Sequence, residues 1–290
     1  MKIISRIKGG LGNQLFQLAF AFKFSSLNNL PIIFDASSYL RDKFGRRLLI
    51  NQLDPELKFI SNDFIQKLKL KNNYYINESD FDLKNRDINS LVVNKNLLSQ
   101  KEYIILNGYW QDSRIIDKNI SKYIKISILN YLKASNAKEI FDIISDTKNA
   151  IAIHIRRSDY AHHGLVDENV YLDFAEQILT KIPDGKIFIF SDEPNYANYL
   201  FSKERIPIRV VNSGNEIIDL ALMSLCKIFM IANSSFSFWG AFLSDYTNVF
   251  YPEPWSHIHK ESRHLFPTDW IKLPETVKIF KRESLIKIQF

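Results

Sequence analysis

Ala150-Ile-Ala-Ile-His-Ile-Arg-Arg-Ser-Asp-Tyr160 opens with six residues that are apolar except for one histidine and then turns abruptly to two arginines and an aspartate. A short, nearly unbroken apolar run bounded by charge is how a strand buried on both faces is written, as in parallel sheets covered by helices. Three more such runs follow: Lys186-Ile-Phe-Ile-Phe190, Ile208-Arg-Val-Val211 and Ile228-Phe-Met-Ile-Ala232, with helix-like segments between them. Strand alternating with helix predicts an α/β fold with a nucleotide-binding-type sheet over the second half of the chain. Alternation along the first run places Ala152, His154 and Arg156 on one face and Ile153, Ile155 and Arg157 on the other.

The first half reads outward from its own strand and turn. Lys2 to Ile7 predicts a strand, Gly9 to Gly12 a tight turn, Asn13 to Leu27 a helix and Pro31 to Phe34 the start of a second strand. The polar, asparagine- and lysine-rich stretch from Asp54 to about Lys101 predicts short helices and surface segments rather than a sheet core. Tyr103 to Leu106 regains strand character and leads into an aromatic loop, Asn107-Gly-Tyr-Trp-Gln-Asp112. Helical segments continue to Asn149, which sets expected domains of 1–149 and 150–290, in keeping with a prior of about 150 residues per domain.

Composition narrows the function classes. The 290 residues are 46% hydrophobic, enough for a sizeable core, and contain one cysteine, Cys226, which excludes an intramolecular disulfide and suits a cytoplasmic protein. Cys226 lies in an apolar helical pattern and reads as a small buried hydrophobe rather than a catalytic thiol. Charges at Lys2, Arg6 and Lys8 break the apolar region a signal peptide needs, and no run approaches the roughly 18 apolar residues that span a bilayer. Lys and Arg number 38 against 32 Asp and Glu, a net charge of +6 that suits an anionic ligand or an anionic membrane surface. There is no arginine-rich arm, zinc-finger spacing or RNA signature, so no nucleic-acid partner is expected.

Four motifs carry candidate chemistry. Arg156 projects past a strand end, where ligands of open α/β sheets bind, and its guanidinium suits a phosphate; an Arg–Asp pair closing the strand is the alternative. Asp192, in Phe190-Ser-Asp-Glu-Pro194, is either a helix cap or an acceptor for a guanine N–H or a ribose hydroxyl. Ile231 to Gly240 reads as strand, small polar turn and helix opening, and Ser234, Ser235 and Ser237 beside helix N–H groups suit a pyrophosphate. Gly10 and Gly12, with Asp35 about 20 residues on, match part of the dinucleotide fingerprint and leave open an oxidoreductase, although Leu15 stands at the third glycine position.

Weaker signals are set against these. Asp80-Phe-Asp82 has the Asp-x-Asp form of a divalent-metal site but sits in an irregular polar segment, and His257, His259 and His264 lack a completing ligand, so no metal is expected. Basic and apolar residues alternate in Lys278–Arg282 and Ile286–Phe290, which suits either contact with an anionic membrane carrying a lipid-linked acceptor or a final element packed on the body.

Taken together, Gly9-Gly-Leu-Gly-Asn-Gln-Leu-Phe-Gln-Leu-Ala19, Gly108-Tyr-Trp-Gln111, His154-Ile-Arg-Arg-Ser-Asp-Tyr160, Phe190-Ser-Asp-Glu193 and Asp219 through Gly240 resemble the family-eleven α1,2-fucosyltransferases in order and spacing. The resemblance runs from residue 2 to about 255. It implies a GT-B-like fold of two Rossmann-like domains facing a cleft, an N-terminal acceptor-side domain and a C-terminal domain for GDP-fucose. It further implies a metal-independent, inverting transfer of L-fucose from GDP-β-L-fucose to a hydroxyl, O2 of a terminal galactose, of a glycan acceptor. By the same likeness His154 and Asp192 would recognise guanine, Arg156 would hold the β-phosphate, and Ser234, Ser235 and Phe236 would line the nucleotide site. Gly12 and Asn13 would approach the sugar diphosphate from the opposite domain, and Asp159, three residues past Arg156, is the candidate base. Ser158, Phe238 and Ile228 depart from the family's usual glycine, tryptophan and histidine, which bears on substrate preference. A non-catalytic nucleotide-sugar-binding protein is the remaining alternative.

Overall fold

A computed structural model describes residues 1–68, 72–80, 91–93, 100–157, 164–203, 206–255, 265–273 and 277–278. They form two compact units, Met1–Ser127 with Arg263–Phe266, and Ile128–Ser262 with Pro267–Phe290. In the first unit β1 (Lys2–Arg6) leads into α1 (Leu11–Asn28) and β2 (Ile32–Asp35), then two short helices, α2 (Ile50–Leu53) and α3 (Asn62–Leu68), and finally β3 (Tyr74–Asn77) and β4 (Tyr103–Asn107). The sheet order is β2-β1-β4-β3 and all three pairings are parallel. β3 corrects the expectation for 54–101: Tyr74–Asn77 joins the sheet at its edge, where one partner strand suffices and a polar sequence is tolerated.

α1 is apolar nearly all round, with Leu15, Phe16, Phe20 and Phe24 fully buried, because it covers the sheet on one side and is covered by loops on the other. It starts without a side-chain cap at Gly10 and ends at Asn29, whose φ of 51° supplies the left-handed C-cap. The turn before it needs glycine at position 9, where φ is +82°.

α4 (Lys118–Lys133) crosses the division between units and is followed by α5 (Lys138–Ser145). The division therefore comes earlier in the chain than Asn149. α5 packs on the second unit, where Glu139 pairs with Arg209 at 3.5 Å, and Tyr131 of α4 accepts a hydrogen bond from Asn215 at 3.1 Å.

The second unit continues with β5 (Ala150–Ile155), β6 (Leu165–Val166), α6 (Glu168–Lys181), β7 (Lys186–Ser191), α7 (Pro194–Lys203) and β8 (Ile208–Val211). It ends with α8 (Glu216–Met223), β9 (Ile228–Met230), α9 (Ser235–Phe242), β10 (Asn248–Pro252), β11 (Ile271–Leu273) and β12 (Val277–Lys278). Its main sheet is parallel throughout in the order β11-β10-β9-β5-β7-β8, and β12 pairs antiparallel with β6. All six residues of β5 are buried, as its apolar sequence predicts for a central parallel strand. Ile151, Ile153 and Ile155 pack with Tyr171, Ala175, Ala197 and Phe201 of α6 and α7 in one core.

The chain runs outward from β5 to β7 and β8, crosses back to β9 and proceeds to β10 and β11. β5 and β9 are thus neighbours whose following segments depart in opposite directions, which opens a crevice at their carboxyl ends. Among the described residues no helix is long and apolar enough to cross a membrane.

Candidate functional site

Two of the sequence motifs, whose residues His154 and Phe236 are 82 positions apart in the chain, meet because β9 returns to pair with β5. His154, on the face of β5 opposite the isoleucine core, stacks on Phe236 from the first turn of α9, with ring centroids 5.4 Å apart and an interplanar angle of 29°. The imidazole is buried and its Nδ1 has no hydrogen-bond partner among the described residues. Burial, with the neighbouring Arg156 charge adding to it, lowers its pKa from 6.5 to about 3, so the ring is neutral at every working pH and offers one donor and one acceptor.

Arg156 continues that face past the strand end. Its Nε lies 3.3 Å from Asp192 Oδ2, and the other oxygen of Asp192 accepts the N–H of Arg157 at 3.1 Å. Asp192 thus bridges the ends of β5 and β7 and fixes the direction in which both arginines leave the sheet. The Arg–Asp pair that the sequence left open is present, and the nearby Glu193 N–H donates to Ser191 Oγ at 3.0 Å.

Arg157 points the other way, as alternation requires. Its guanidinium carbon sits 3.8 Å from the ring centroid of Tyr196, and it pairs with Glu168 at 3.2 Å and Glu193 at 3.8 Å. Its side chain is 12% exposed, so it is a structural cation joining β5, α6 and α7. Burial and the Asp192 charge raise the pKa of Glu193, and Arg157 opposes that rise.

At the opening of α9, Ser237 and Ser234 take different roles, and Ser235 is the first residue of the helix. Ser237 Oγ donates to the carbonyls of Ala232 and Ser234, at 3.2 and 3.1 Å, and is buried in the turn it braces. Ser234 occupies the N-cap with φ −135° and ψ 128° but makes no side-chain cap bond, so the first-turn N–H groups of α9 are not closed off by a hydroxyl. Next to them Asn233 Nδ2 donates to Gly164 O at 2.9 Å, while its buried Oδ1 has no partner among the described residues.

In the first unit Gly12 is buried in the first turn of α1, and Asn13 accepts from Gln111 Nε2 at 2.7 Å. The aromatic loop splits as well. Trp110 is buried, stacks on Phe20 at 3.9 Å and 2°, and has φ +58°, a conformation unusual for so bulky a residue. Glu78 holds it there, accepting the N–H groups of Tyr109 at 2.7 Å and Trp110 at 2.8 Å. A Cβ on Gly108 would collide with Glu78. Tyr109 is exposed and lies under the Lys8 ammonium, 4.7 Å from its ring centroid.

Sequence reading missed Glu78, whose partners lie 31 and 32 residues away, and Gln14, which donates to Gly9 O and Arg47 O and accepts from Leu49 N–H. Neither carries a local signal. Asp35 is engaged by the Ser37 N–H at 2.9 Å and by Arg6 at 3.6 Å, and Leu15 fills the third fingerprint position as core. Cys226 is buried, with its thiol pKa pushed up by burial. Ser158, Asp159, Asp82, His257, His259, His264 and the tail from residue 279 lie outside the described residues.

Residues 2–273 match the sequence pattern of Glycosyl transferase family 11. An α-1,2-colitosyltransferase of Escherichia coli is 28% identical over 93% of this chain and 98% of its own length. WbnK, an O-antigen biosynthesis glycosyltransferase of the same organism, is 30% identical over 93% and 99%. In fold the chain is similar to E. coli ADP-heptose heptosyltransferase II, with a TM-score of 0.52, 13% identity and coverage of 99% and 95%. It is also similar to the α-1,6-fucosyltransferase NodZ soaked with GDP-fucose, with a TM-score of 0.50, 14% identity and coverage of 85% and 95%. Two parallel α/β units of the GT-B kind, a switch-point crevice lined by His154, Arg156, Asp192 and the opening of α9, and a family pattern spanning almost all of the sequence lead to one conclusion: the chain belongs to glycosyltransferase family 11 and is a glycosyltransferase.

Proposed function

We propose that the protein transfers L-fucose from GDP-β-L-fucose to O2 of a terminal galactose, with inversion and without a metal. The observation that carries this reading is the placement of Arg156, oriented by Asp192, beside the His154–Phe236 stack at the β5–β9 crevice. A planar cation suits the two oxygens of a β-phosphate, and the neutral His154 and the Asp192 carboxylate suit the polar edge of a guanine. Phe236, Ser234 and Ser235 complete the nucleotide wall.

In this mechanism the acceptor hydroxyl attacks the anomeric carbon as the bond to the β-phosphate oxygen breaks, and one displacement inverts the centre. Negative charge develops on the departing pyrophosphate, where Arg156 and the N–H groups of α9 offset it. The proton of the hydroxyl passes to a general base, for which Asp159 is our candidate. With one cysteine and no disulfide, the protein suits the cytoplasm.

Colitose is L-fucose without its 3-hydroxyl, and the name of the 28%-identical relative makes a 3-deoxy sugar donor the second reading. Thermal-shift titration with GDP, ADP and NAD, followed by transfer assays on a galactoside panel with each donor and NMR of the product linkage, tests both. Stabilisation by GDP well above ADP and NAD, about 2.7 kcal/mol at a hundredfold excess over Kd, is the expected result. Preference for NAD would overturn the reading in favour of a dinucleotide enzyme, and GDP-fucose binding without turnover on any acceptor would leave a nucleotide-sugar-binding protein.

A further inference from the structure

Residues 37–47 carry the chain from β2 to α2 and contain the two most exposed large apolar side chains among the described residues, Leu40 at 67% and Phe44 at 64%. Four cations surround them, Arg41, Lys43, Arg46 and Arg47, against a single carboxylate, Asp42. That carboxylate is engaged by the backbone, accepting the N–H groups of Phe44 at 2.8 Å and Arg46 at 3.1 Å. Arg41, Lys43 and Arg47 have no ion-pair partner among the described residues, and the Arg46 guanidinium lies over the Phe44 ring, 4.7 Å from its centroid.

The segment is braced at both ends. Ser38 Oγ donates to Ile7 O at 2.5 Å and the Tyr39 hydroxyl to Gly9 O at 2.8 Å, while Gln14 donates to Arg47 O at 2.8 Å and accepts from Leu49 N–H at 2.8 Å. Leu40 and Phe44 are therefore carried on a fixed support at the end of β1 and the first turn of α1. Large apolar side chains held in water, ringed by cations, fit a surface that offers hydrocarbon below and negative charge above.

We propose that residues 40–47 dock the protein onto an anionic lipid surface. Leu40 and Phe44 enter the boundary between headgroups and acyl chains, and Arg41, Lys43, Arg46 and Arg47 reach the lipid phosphates, with the arginine and lysine stems lying along the apolar layer. Charge complementarity selects this occupant over a second copy of the chain, because a two-fold contact through this face would set the same four cations against themselves. The inference does not depend on which donor sugar the enzyme uses.

Flotation of the full chain with vesicles of phosphatidylcholine alone, and of equal parts phosphatidylcholine and phosphatidylglycerol, tests it. The wild type is expected to float with the anionic vesicles only, less so at high salt. Leu40→Ser/Phe44→Ser, and separately Arg41→Glu/Lys43→Glu, should lower the partition coefficient about tenfold or more, with thermal midpoint and GDP-induced shift unchanged. Undiminished flotation of both variants, equal binding of the wild type to neutral vesicles, or no vesicle binding at all would each overturn the proposal. So would lipid-free self-association of the wild type, seen by sedimentation, that Leu40→Ser/Phe44→Ser abolishes.

Discussion

Arg156 and His154 sit two residues apart on one strand face and do different work. Replacing Arg156 with lysine keeps the charge but removes the planar fork that both Asp192 and two phosphate oxygens can use. We expect Arg156→Lys to weaken donor binding and lower turnover by about tenfold to a hundredfold, the range of one charge-assisted hydrogen bond. Calorimetry with GDP and steady-state kinetics at saturating donor check this; near-normal values would remove Arg156 from the phosphate site. His154 predicts a pH effect. Its pKa is 6.5 in the unfolded chain and about 3 in the fold, so below pH 6.5 the unfolded state takes up a proton that the native state refuses. Stability is unaffected above pH 6.5 and declines as pH falls toward 3, by up to about 1.4 kcal/mol per pH unit. In denaturant titrations at pH 7 and pH 4.5, His154→Phe should lose less stability than the wild type between the two. Parallel losses would show that the imidazole is not kept neutral.

The opening of α9 separates its serines by what they brace. Ser237 satisfies two carbonyls inside the turn, and Ser237→Ala should cost about 1 kcal/mol of stability, a typical net hydrogen bond. Ser234 makes no cap bond, so Ser234→Ala should leave the thermal midpoint nearly unchanged while weakening GDP binding several-fold. The reverse pattern, in which Ser234→Ala destabilises and binds normally, would make this residue an ordinary cap. Both serines belong to one motif in the sequence, and periodicity gives no means of ranking them. Their backbone angles and distances do so because a hydroxyl buried under its own turn reaches carbonyls, whereas one at the N-cap faces the strand end. The same limit hid Glu78: a carboxylate in a polar, irregular stretch looks like surface until β3 and β4 pair and bring it to the Tyr109 and Trp110 amides.

For the whole protein, the charge inventory bears on metal dependence. In the proposed mechanism Arg156, the Ser234 and Ser235 hydroxyls and the helix N–H groups of α9 would offer a leaving GDP positive potential from the chain itself. Transfer activity should therefore persist in excess EDTA. Complete loss on chelation, restored by manganese or magnesium, would bring Asp80 and Asp82 back as metal ligands.

What the sequence determined by itself was everything that repeats at short range. The apolar runs of β1, β5, β7 and β9, the glycine turn before α1, the alternation that sends Arg156 and Arg157 to opposite faces of β5, and the family motifs are all legible over a dozen residues or fewer. Strand order was decided by the tertiary structure, because an apolar run states that a strand is buried and not which strand lies beside it. Only when β9 returns past β7 and β8 to pair with β5 does Phe236 reach His154. Only when β7 takes the other edge of β5 does Asp192 reach Arg156 and the Arg157 amide. The site residues were readable as types, and their partnerships came from pairings between distant strands, which carry no signature in the local pattern.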